Sequence, residues 1–82
     1  MQLKELSKNP KLIVGVKQTT KCLTHDLARL VFIAKDAEQH VIRNILDLCE
    51  AKSVEIIFID TMKELGKACN IDVGAATAVI EK

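Results

Sequence analysis

Apolar positions follow two rhythms along the chain. Leu12-Ile13-Val14, Leu30-Val31-Phe32-Ile33-Ala34 and Val54-Glu55-Ile56-Ile57-Phe58-Ile59 are short, nearly continuous runs of strand length. Continuous rather than alternating apolarity describes strands covered on both faces. Between the second and third runs, Val41, Ile42, Ile45, Leu48 and Cys49 recur at i, i+1, i+4, i+7 and i+8, with Arg43, Asp47 and Glu50 opposite. That spacing is an amphipathic helix. Met62, Leu65 and Cys69 predict another helix, and Ala75 to Ile80 a last strand. At the start, Leu3 and Leu6 against Lys4 and Glu5 predict a short helix over Met1 to Ser7, broken by Asn9-Pro10.

The punctuation agrees with this order. Gly15 turns the first strand into a helix that ends near Leu23–Thr24, with Val16, Thr19 or Thr20, Cys22 and Leu23 facing inward. Asp36 with Gln39, and Thr61 with Glu64, have the spacing of capping boxes. Asn70 can close its helix in a left-handed conformation. The elements run α-β-α-β-α-β-α-β, which predicts a mostly parallel or mixed sheet with helices on both faces. The 82 residues make one domain, without linker, repeat or low-complexity segment.

Composition narrows the classes. The chain is 49% apolar with no Trp or Tyr, so aliphatic side chains must supply the core. Phe32 and Phe58 lie in apolar runs and are expected there, which leaves no aromatic platform for stacking bases. Cys22, Cys49 and Cys69 lack any C-x-x-C pairing, and reduced, buried thiols in a cytoplasmic protein are expected rather than zinc ligands or disulfides. No long apolar run follows the start, and none approaches the roughly 18 residues of a membrane span. No signal peptide and no membrane contact are therefore expected.

Net charge is only +1, but it is unevenly placed. Residues 1–35 carry seven Lys/Arg against two acids, and residues 36–82 carry five against nine. The basic excess surrounds the Gly15 turn, as a footprint for an anionic partner would. Lys17 and Lys21 sit four apart on one helical face beside Gln18. A helix start presents unpaired N–H groups and partial positive charge, and Gly15 allows close approach to the backbone. Lys17 and Lys21 can donate to phosphate or to guanine O6 and N7, and Gln18 can donate and accept at a base edge. Solvation of a helix start is the plain alternative, although cations there are slightly unfavourable.

Enzyme chemistry finds little support. Gly66-Lys67 is followed by Ala68 and has no glycine five residues before it, so the phosphate-cradling loop is missing. Gly15 stands alone where a dinucleotide fingerprint needs three glycines. His25 and His40 are expected in a turn and on an exposed helix start. The acids read as solvated faces and caps. No catalytic set and no cofactor is called for.

Four segments then carry a likeness. Gly15-Val16-Lys17-Gln18-Thr19-Thr20-Lys21, Ala34-Lys35-Asp36-Ala37, Lys63-Glu64-Leu65-Gly66-Lys67-Ala68-Cys69 and Ile71-Asp72-Val73-Gly74-Ala75-Ala76 fall in the order and spacing of the archaeal-type ribosomal kink-turn-binding family (the L-seven-Ae family). The chain resembles its short bacterial members over essentially all its length. The resemblance implies an α/β fold, a three-layer α-β-α sandwich with a four-stranded mixed sheet. It also implies binding, without catalysis, to the kink-turn, a sharply bent RNA with tandem sheared G·A pairs, in ribosomal RNA or a riboswitch leader. A monomer is expected. In the family a Gly-x-Asn-Glu-x-x-Lys segment reads the guanines. Here Gly15 and Lys21 match, Lys17 replaces Asn, Gln18 replaces Glu, and Val16 lies within the segment. Ile71, Asp72 and Val73 map to the loop that packs near the flipped-out nucleotide. Longer members add a final helix after the last strand, so a role in a large protein assembly is less expected. The competing expectation is a protein-interaction module on the same fold, using Asp47, Glu50 and Asp72.

Overall fold

The computed structural model describes residues 3–82. Met1 and Gln2, and the expected pairing of the Leu3 and Leu6 side chains, lie outside the described residues. A 3-10 turn over Leu3–Lys8 leads into β1 (Leu12–Val14), α1 (Val16–Thr24), β2 (Ala28–Ala34), α2 (Gln39–Lys52), β3 (Glu55–Ile59), α3 (Met62–Ala68) and β4 (Thr77–Glu81). The leading segment is thus a tighter helix than expected. The Asn9 N–H closes it on the Leu6 carbonyl at 3.1 Å, three residues back, just before Pro10.

The sheet order is β1-β4-β2-β3, with β2 and β3 parallel and β4 antiparallel to both β1 and β2. β1, β2 and β3 therefore end at one edge of the sheet, where β4 begins. Alternation along the central strands divides the core in two. Val31, Ile33 and Val79 meet Cys22 and Leu23 of α1 and Ile45 and Cys49 of α2. Phe32, Ala34, Ala78 and Ile80 meet Leu6, Leu65, Ala68 and Cys69 on the other face. This is the three-layer α-β-α sandwich with a four-stranded mixed sheet.

Several local expectations change for identifiable reasons. β2 starts two residues early, because a bulge between Ala28 and Leu30 leaves Arg29 as an extra residue against Glu81 and Ile80. The bulge switches faces: Ala28 packs with the α1/α2 core, and Leu30 packs on the other. β4 starts two residues late, because the Ala75 N–H is taken by the Met62 carbonyl at 2.9 Å. Phe58, expected in the core, is 46% exposed. Its strand lies at the rim of the sheet, so the apolar run 54–59 is not covered on both faces. Asp36 does not cap α2, whose N-cap is Glu38 and whose start has no side-chain cap. Its Oδ1 instead accepts from the Met62 N–H at 2.7 Å. The start of α3 thus gains two oxygens, since Thr61 Oγ1 accepts from the Glu64 N–H at 3.0 Å as expected.

All three helices end on a left-handed residue that is not glycine: Asp26 (φ 59°), Ser53 (φ 56°) and Asn70 (φ 61°). Leu27, Val54 and Ile71 then donate back to the Cys22, Cys49 and Gly66 carbonyls. These bonds close the last turns.

The three cysteines are free and buried. Burial raises all three thiols above their usual range, with Glu81 adding to the shift at Cys22, and pushes Cys49 up to about 11. A raised thiol pKa leaves stability intact below the unfolded value and erodes it as pH climbs toward the folded one, because the unfolded chain ionises first. Wild-type stability to urea should therefore fall between about pH 8 and pH 10.5. Cys49→Ala should lose less over the same interval. Equal slopes for the two proteins would count against thiol burial as the cause.

Candidate functional site

Gly15 sits at φ 120° and ψ 151°, in a region essentially reserved for glycine. A Cβ added there would meet nothing within 4 Å. The glycine is required by its backbone angle, and the space above it is open. Four hydrogen bonds fix the turn. The Gly15 N–H donates to the Thr77 carbonyl at 3.0 Å, and the Gly15 carbonyl accepts from both the Thr19 N–H at 2.9 Å and Thr19 Oγ1 at 2.7 Å. Thr77 Oγ1 in turn donates to Thr19 Oγ1 at 3.0 Å. Both threonines are fully buried. Thus β4 clamps the helix start through two hydroxyls and one amide.

With the inward side of α1 taken by Thr19, Cys22 and Leu23, its outward side is set by the helical repeat. Lys17, Gln18 and Lys21 are exposed on it. Val16 is half-buried where α1 meets α2, beside Val41 and Ile45. No acidic residue lies in the first turn, and no side chain caps it. The Val16, Lys17 and Gln18 amides therefore have no intrahelical acceptor.

The 71–74 loop lies at the same sheet edge, anchored to α3. Ile71 is half-buried against the α3-side core, Asp72 is exposed, and Val73 is 70% exposed. Gly66 permits this, since a Cβ there would collide with the Val73 carbonyl. The expected site residues thus form two patches, Gly15–Lys21 and 71–73, joined through β4. Asp47 and Glu50 sit on α2, whereas Asp72 sits on the α3 side, so the three acids make no single face. His25 and His40 are exposed.

The sequence assigns no binding role to Lys35, Asp36 or Asp60, which share this edge. The Ala34 N–H donates to Ala76 and the Lys35 N–H to Ile59, while Lys35 Nζ lies 3.3 Å from Asp60 Oδ1. The only signal in the sequence is that Ala34–Ala37 is one of the four family-like segments. Among the described residues no cluster of His, Cys, Asp and Glu is placed to hold a metal, and no helix is long and apolar enough to cross a membrane.

The model of the ribosomal protein L7Ae/L30e/S12e/Gadd45 family matches residues 1–82. The chain belongs to this family. Within the wider set of relatives, an RNA-binding protein of Caldanaerobacter subterraneus subsp. tengcongensis is 56% identical over 69 residues, 84% of each chain. An RNA-binding protein of Halalkalibacterium halodurans is 44% identical over 82 residues, the full length of both. Among solved structures, the Giardia lamblia 15.5kD RNA binding protein superposes with a TM-score of 0.87 at 31% identity, over 98% of this chain and 68% of that one. The L7Ae-family fold is therefore shared at the level of the whole sandwich.

Two substitutions test the clamp. Thr19→Val leaves the buried Thr77 hydroxyl without its acceptor and should cost about 1–3 kcal/mol in a urea melt. Thr19→Val combined with Thr77→Val should cost less than the sum of the singles, the coupling expected of contacting residues. Gly66→Ala should cost roughly 1–3 kcal/mol as an overpacked site. It should also shift the amide resonances of residues 71–74.

Proposed function

We propose that the chain is a non-enzymatic RNA-binding protein that recognises kink-turn motifs and stabilises their bent form. The observation that carries this reading is the clamped, uncapped start of α1, with Lys17, Gln18 and Lys21 exposed around an open glycine. Membership of the L7Ae/L30e/S12e/Gadd45 family and relatives that are RNA-binding proteins support it.

In the mechanism, free amides and lysine charges draw the RNA backbone to the α1 start. An ordinary A-form major groove is too narrow for a helix end, so the site favours a distorted, widened element. Lys21 and the Gln18 amide meet the guanine edges of the G·A pairs, and Lys17 takes a phosphate or guanine. Ile71 and Val73 offer an apolar contact for a nucleotide turned out at the bend, flanked by Asp72. Because these contacts form only with the bent RNA, binding shifts an existing bent–extended equilibrium. The protein acts as a cytoplasmic monomer on ribosomal RNA or a riboswitch leader.

A labelled kink-turn RNA should be retarded in a gel by sub-micromolar protein. A duplex in which the G·A pairs are replaced by Watson–Crick pairs should not. Lys17→Ala should weaken binding and, if Lys17 touches a phosphate, flatten the salt dependence by about 0.9 in log–log slope. Gln18→Ala and Lys21→Ala should relax discrimination by roughly 1–3 kcal/mol for each base no longer read. Unaltered affinity and selectivity in all three variants would refute these roles.

A further inference from the structure

At the opposite end of α1 lies a second concentration of positive charge that kink-turn recognition does not use. A cleft of about 210 Å³ opens between the ends of α1 and α2, with Leu23 and Val54 in its lining and Asp26, Arg29, Lys52 and Lys82 around it. Three cations thus surround one carboxylate. Lys52 Nζ is engaged, 3.0 Å from Asp26 Oδ1, and that pairing holds the Asp26 carboxyl below its usual range, with Lys82 contributing. Arg29 has no ion-pair partner among the described residues.

The bulge explains why Arg29 is there. As the extra residue of β2 it escapes strict alternation, and bulges commonly redirect a side chain. Here Arg29 joins Ala28 in lining the cleft. Helix C-termini ordinarily attract cations by themselves. In this protein, left-handed turns at Asp26 and Ser53 already close the last carbonyls of α1 and α2, which leaves the guanidinium available.

The cleft is smaller than the roughly 300 Å³ at which pockets for drug-sized ligands begin, and it suits a single phosphate group. An RNA strand is the source that the surroundings favour. Lys17, Lys21 and His25 recur at i, i+4 and i+8 on exposed positions, a row about 12 Å long at the helical rise. The row runs from the Gly15 end to the last turn of α1, the end at which the cleft opens, and Glu81 of β4 is the acid that lines the groove beside Lys21 and His25.

We propose that the Arg29–Lys82 cleft is a second phosphate site, which takes the backbone of an RNA arm that leaves the Gly15 end along α1. The proposal rests on the RNA-binding reading but not on the kink-turn. It is tested by fluorescence anisotropy with the full chain and an R29Q/K82Q variant, whose fold is checked by its thermal melt. The probes are a kink-turn RNA with an arm long enough to pass α1, the same RNA with a truncated arm, and a plain hairpin of the longer length. Inorganic phosphate and a nucleoside monophosphate serve as competitors.

The variant should bind both long RNAs about tenfold more weakly, and its salt slope should fall by about 0.9 for each phosphate no longer neutralised. The short-armed RNA should be bound as by wild type. Equal weakening on short and long arms, or none at all, would overturn the second site. So would displacement of the long RNA by free phosphate or monophosphate at low millimolar concentration, which would mark a small-anion pocket instead. If wild type binds the kink-turn and the plain hairpin equally, the kink-turn reading fails. The comparison of variant with wild type on the long hairpin would still decide the cleft.

Discussion

The structure depends on the pair of buried hydroxyls that ties α1 to β4. Thr77 Oγ1 donates to Thr19 Oγ1 at 3.0 Å, and Thr19 Oγ1 donates to the Gly15 carbonyl at 2.7 Å. Each hydroxyl is fully buried and would be costly if left alone. Together they make the Gly15 turn a fixed object rather than a loop. The amide of Gly15 is held by the same strand, so β4 sets both the angle and the depth at which α1 begins. Rigid placement of this kind is what lets a helix start act as a recognition element.

The rest of the sandwich can be seen as support for that edge. β4 is central, paired with β1 on one side and β2 on the other, and its start carries the clamp. The 71–74 loop that feeds β4 is pressed onto α3 through Gly66 and held by Ala75 on the Met62 carbonyl. α3 in turn starts under Asp36 and Thr61. A chain of caps and turns thus links the 34–37, 60–62 and 71–77 segments along one edge. A core of alternating layers, aliphatic but for Phe32, holds the two helical faces apart.

Much of this was legible in the residues. The strand cores, the Gly15 turn, the α2 stripe, the Thr61 cap and the left-handed Asn70 follow from period, glycine and capping chemistry, which are local. What was not legible is tertiary. Phe58 sits in an apolar run, yet only the sheet order shows that its strand is at the rim. Asp36 has capping spacing to Gln39, but the Met62 amide, distant in sequence, takes its oxygen. The bulge at Arg29 leaves no mark in composition, and it decides which face Ala28 covers. At the site, Lys17, Gln18 and Lys21 were readable as one exposed helical face. The Thr19–Thr77 clamp was not, because it joins residues far apart in the chain.

An NMR titration of labelled protein with kink-turn RNA tests the central claim most directly. The account predicts that the backbone amides of Val16, Lys17 and Gln18 shift most, with those of Ile71 to Val73 following. It also predicts that RNA lacking the G·A pairs leaves both sets nearly still. Large shifts on the outer faces of α2 and β3, with the amides at the start of α1 unmoved, would contradict it.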